Sequence, residues 1–71
     1  MTWSVADELA VTKRHLNEEE ARRGAQTTLI ETLSGRGQST AEAEHILREI
    51  EATLVTLRAR RLSLEALQRH P

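Results

Sequence analysis

The sequence predicts an all-α protein: an antiparallel two-helix hairpin that dimerises into a four-helix bundle. Three observations predict it. Leu, Glu, Ala and Arg dominate the 71 residues, and Trp3 is the only aromatic, so the aromatic side chains that favour strands are scarce. Proline is absent before the final residue, and the glycines number only three. Apolar residues then recur at steps of three and four over both halves of the chain, the spacing of a helical seam. The predicted elements are a helix over 3–34, a turn over 35–39 and a helix over 40–69, all in one domain.

The first helix has a start signal in Ser4, followed three positions later by Asp7, with Trp3 just outside; this resembles a capping box. Its best seam runs Val5, Leu9, Thr12, Leu16, Glu19, Arg23, Gln26, Ile30, Leu33. Apolar ends flank a polar middle, and Gly24 lies in that middle. A glycine inside a helix costs about 1 kcal/mol relative to alanine, so the helix is expected to be loosest between Glu18 and Thr27.

The connection is the stretch TLSGRGQSTAEAE, Thr32 to Glu44. Its two glycines and Ser-Thr pair raise the possibility of a phosphate cradle. That cradle needs a preceding strand, more residues between the glycines and a lysine ahead of the Ser-Thr pair, and none is present. The stretch therefore reads as a bend. Gly35 is placed where a left-handed cap is wanted, Gly37 helps to turn the chain, and Ser39 with Glu42 forms the next capping box. A weaker alternative leaves the amides of Ser39–Ala41 to hold an anion beside Arg36.

The second helix has the cleaner seam: Ala43, Leu47, Ile50, Leu54, Leu57, Arg61, Leu64, widened by Ile46 and Leu67. Folding at Arg36–Gly37 brings residue i near residue 74 − i. Leu16 then faces Leu57, Leu9 faces Leu64, Ile30 faces Ala43 and Leu47, and Trp3 and Val5 fall near Leu67. A second stripe, Ala52, Val55, Ala59 and Leu62, lies on another face of this helix, and a lone hairpin does not cover it. So short a chain buries little apolar surface without a staple, metal or partner, and it has no cysteine. The stripe is accordingly expected to be a dimer or partner interface.

The residues offer no catalytic constellation. His15, His45 and His70 lie far apart in the hairpin, and nucleophilic catalysis needs a base beside a nucleophile. His15 with Glu19, and Glu42 with His45, each present two potential metal ligands without a third. The Glu18–Glu20 run reads as helix-surface partners of Arg14, His15, Arg22 and Arg23. Arg23 and Arg61 interrupt the seams and must either reach solvent or find an acid: Glu19 or Glu49 for Arg23, Glu8 or Glu65 for Arg61. Lys13, Arg14, Arg58, Arg60 and Arg61 gather in one zone, the only surface suited to RNA or DNA. No aromatic residue interleaves it for base stacking, and the formal net charge of the chain is −1, so nucleic acid is disfavoured as a partner.

The stretches TKRHLNEEEARR, SGRGQSTAEAE and HILREIEATLVTLRARRL resemble a family of short uncharacterised bacterial proteins, helical hairpins with a glycine-containing turn and a Thr-Ala-Glu-Ala-Glu helix start. The resemblance covers most of the chain and implies no activity. In shape the chain is also similar to small plasmid RNA-modulating proteins, which form antiparallel four-helix dimers, but their aromatic RNA-contacting position has no match here. The expected protein is non-enzymatic and needs no cofactor. It acts through protein–protein contact, with a second copy or another protein. Without an apolar run of membrane length or a leader-like N-terminus, it is expected in the cytoplasm. The alternative is a small RNA- or DNA-binding regulator.

Overall fold

The computed structural model describes residues 2–70. It is all-helical, with α1 over Val5–Gly35 and α2 over Ala41–Arg69 packed against each other. The helices have 31 and 29 residues, about 45 Å each at 1.5 Å per residue. The result is a rod with principal extents of 55 × 19 × 15 Å. No helix among the described residues is long and apolar enough to cross a membrane.

Ser4 caps α1 as its sequence suggests. Its backbone is extended, and the Asp7 N–H donates to Ser4 Oγ at 3.3 Å. The helix thus starts two residues later than the expected boundary at residue 3. It runs unbroken through Gly24, where an added Cβ would meet nothing within 4 Å.

The left-handed residue of the turn lies two positions further along than the sequence suggests. Gly35 is the last helical residue rather than the left-handed cap. The left-handed residue is Gly37, at φ 69°. The Gly37 N–H donates to the Ser34 carbonyl at 3.0 Å and the Gln38 N–H to the Leu33 carbonyl at 2.9 Å. These two bonds satisfy the terminal carbonyls in a Schellman motif. The second helix likewise starts from Thr40, and the expected box between Ser39 and Glu42 does not form. Ser39 Oγ instead accepts from the Ala41 N–H at 3.4 Å. A hydroxyl one residue before the cap reaches the first helical amide rather than the third.

Both seams are placed as their spacing predicts. Leu9, Thr12, Leu16 and Glu19 are buried on α1, and Ala43, Ile50, Leu54, Leu57 and Leu64 on α2. Leu16, Ile50, Leu54 and Leu57 form the contiguous core, and Leu54 is 1% exposed. Thr12 is accommodated because its hydroxyl donates to the Glu8 carbonyl at 2.8 Å, which removes the cost of burying it unpaired. Toward the turn the seam thins. Gln26, Ile30, Leu33 and Leu47 are only half-buried. Gln26 Nε2 donates across the seam to the Ala43 carbonyl at 2.9 Å, fixing the relative position of the helices where apolar contact is sparse.

Candidate functional site

The expected interface stripe lies in the open. Val55 is 65% and Leu62 63% exposed, and Ala52 and Ala59 are exposed beside them. Ala52 is two positions from both Ile50 and Leu54. At about 100° per residue it points almost directly away from α1, and Ala59 does the same relative to Leu57.

The expected basic zone is not one surface. Arg58 and Arg60 are two residues apart, so they leave α2 on opposite flanks of the seam. Arg58 Nη2 meets Glu20 Oε1 at 2.6 Å, and Arg60 Nη2 meets Glu8 Oε2 at 2.7 Å. Arg61 sits in the seam with its Nε 3.8 Å from Glu65 Oε1. That distance is too long for a hydrogen bond, and the Nε is buried without a partner. Lys13 and Arg14 are exposed on α1. Two of the five bases are therefore hydrogen-bonded to carboxylates of the same chain, and Arg61 lies within ion-pair range of a third.

Arg23 pairs with Glu51, its Nε and Nη2 both 3.4 Å from Glu51 Oε2. The expected partners were Glu19 and Glu49. Glu19 is instead turned into the seam, where Arg22 Nη1 holds both its oxygens at 3.0 and 3.3 Å. Glu49 lies 3.1 Å from His45 Nε2, so His45 pairs forward along α2 rather than back to Glu42. The numbers of Arg23 and Glu51 sum to 74, matching the expected register, whereas Arg58 and Glu20 sum to 78 and Arg60 and Glu8 to 68, four residues above it and six below.

Two of these pairs, Arg23–Glu51 and Arg58–Glu20, bridge one flank of the hairpin and close it with charge. The other flank is bridged toward the chain ends by Arg60–Glu8. Nearer the turn it is a groove. One hollow of about 330 Å³ lies among Leu29, Leu33, Ala43 and Ile46. A second of about 370 Å³ continues from Ile46 along Ile50 and Thr53, rimmed by Arg22 and Glu49. A third, also about 370 Å³, runs on from Thr53 past Thr56, Leu57 and His15 and reaches Ala52 at the edge of the outer stripe. Leu29 is 44% and Ile46 37% exposed at its apolar end. The sequence signal for this groove was the widening of the seam by Ile46; Leu29, at the matching position on α1, was missed.

His15 Nε2 lies 3.9 Å from Glu19 Oε1. Among the described residues no three His, Asp or Glu side chains gather as a metal would require. Comparison with protein-family models, curated proteins and solved structures finds no match to this chain.

Proposed function

We propose that this chain is a non-enzymatic association module that works by helix–helix contact, with a second copy of itself as the partner. The observation that carries the reading is its surface. The accessible area is 5354 Å² for 8.0 kDa, against about 4,450 Å² for a compact monomer of that mass. The radius of gyration is 16.3 Å, against about 11 Å for a compact domain of this length. The excess of about 900 Å² is close to the roughly 800 Å² that each partner contributes to a standard interface. Apolar side chains contribute to it: Val11, Leu29, Val55, Leu62 and Leu67 are all at least 44% exposed. A four-helix bundle of two hairpins is the arrangement that removes such surface with the least rearrangement.

RNA or DNA binding through Lys13, Arg14, Arg58, Arg60 and Arg61 is the weaker reading, since the acids that hold Arg58 and Arg60 would have to be displaced. Sedimentation or light scattering at micromolar concentration tests the proposal. A mass twice that of the chain, with full helicity, is expected. A helical monomer would refute self-association. Binding to mixed polynucleotide at low salt, falling steeply as salt rises, would favour the other reading.

A further inference from the structure

The homodimer reading leaves open which face a second copy covers, and we infer that it is the groove flank lined by Leu29, Ile46 and Thr53 rather than the outer stripe of α2. The inference rests on self-association, and three observations support it.

The first is direction. A contact through Ala52 and Ala59 would add the second hairpin to the far side of α2, making a row of helices. Such a row covers one helix per protomer and leaves the core between α1 and α2 as it is. The groove flank is built by both helices at once, so a hairpin laid on it makes a two-layer bundle.

The second is the state of the core. The seam is densely buried from Leu9 to Glu19 on α1 but only half-buried at Ile30 and Leu33. One hollow, among Leu29, Leu33, Ala43 and Ile46, opens where it thins, toward the turn, and a second continues from it beside the buried Glu19 and Ile50. An apolar seam left unfinished beside exposed Leu29 and Ile46 has its missing layer on this flank. The opposite flank is already bridged by the Arg23–Glu51 and Arg58–Glu20 pairs.

The third is charge, which points to the same chain as the occupant. Residues 41–54 of α2 carry four Glu and one Arg, and residues 55–69 carry four Arg and one Glu. On α1, residues 5–20 carry five acids and two bases, and residues 21–35 carry two bases and one acid. Each helix is thus acid-rich in its first half and base-rich in its second. Any antiparallel neighbour of this sequence sets unlike halves side by side. The area also fits: covering one flank of both helices is the scale of the roughly 800 Å² per partner that stable pairs bury.

The test compares masses of the full chain and three variants at micromolar concentration, with helicity checked by circular dichroism. The wild type is expected as a dimer. Leu29→Glu and Thr53→Arg are expected to weaken association about 30-fold or more, the scale of one anchor residue, and to run as helical monomers. Leu62→Glu, on the outer stripe, is expected to remain dimeric. Thr53 is exposed, so Thr53→Arg remains decisive if Leu29→Glu loses helicity. A dimer broken by Leu62→Glu and untouched by Thr53→Arg would overturn the groove while leaving the homodimer standing. A monomeric wild type would remove both.

Discussion

Glu19 is buried in the seam with its side chain 9% exposed, and Arg22, one turn on and mostly in solvent, holds both carboxylate oxygens. A carboxylate at a core position costs desolvation, which a partner must offset. Arg22→Ala leaves the charge without its strongest partner and is expected to lower stability by about 1–2 kcal/mol. Glu19→Leu removes the charge and extends the apolar seam, with an expected gain of about 1–2 kcal/mol. Thermal unfolding should place the two variants on opposite sides of the wild type. Two losses would show that Glu19 stabilises the hairpin beyond what a leucine can replace.

The three glycines should respond differently. Gly37 is left-handed at φ 69°, and Gly24 and Gly35 are helical with open space where a Cβ would stand. Gly37→Ala is expected to destabilise by about 1 kcal/mol through strain. Gly24→Ala is expected to stabilise by a similar amount, and Gly35→Ala by less because it lies at the helix end. Urea midpoints at constant m-value decide this. If Gly37→Ala proved neutral, the Schellman geometry at the turn would be wrong.

Arg61 occupies a seam position, and its Nε is buried without a hydrogen bond. Arg61→Leu removes that cost and joins Leu57 to Leu64 in one apolar row. The expected gain is about 1 kcal/mol, or a melting temperature about 4–8 °C higher for a domain of this size. A lower melting temperature would mean that the Arg61 stem and its 3.8 Å approach to Glu65 contribute more than the buried donor costs.

Leu54 is the most deeply buried residue, and it anchors the cluster with Leu16, Ile50 and Leu57. Leu54→Ala is expected to cost about 2–5 kcal/mol, a large share of what a small domain has. Loss of most helical ellipticity at 25 °C is the expected reading. By contrast, a double-mutant cycle on the exposed Arg23–Glu51 pair should return only about 0.2–1 kcal/mol. Comparable values would mean that ion pairs rather than the core hold the hairpin.

The sequence by itself determined the two helices, their bend and the residues that face each other. Helical periodicity is a local property: Leu9, Leu16, Ile50, Leu54 and Leu57 share a face because 3.6 residues make a turn, whatever they pack against. The bend was legible for the same reason, though its left-handed residue is Gly37 rather than Gly35. Which of two nearby glycines turns the chain depends on how far α1 extends before its carbonyls find partners. Only the tertiary structure decided the rest. Long side chains reach a turn or more in either direction, so spacing along one helix could not say that Arg58 would take Glu20 or that Arg60 would take Glu8. Those choices follow from the exact offset of two rods, and they divide a basic zone that looked continuous in the sequence. The groove beside Leu29 and Ile46 has the same origin, because a hollow belongs to two helices together and has no pattern in either one.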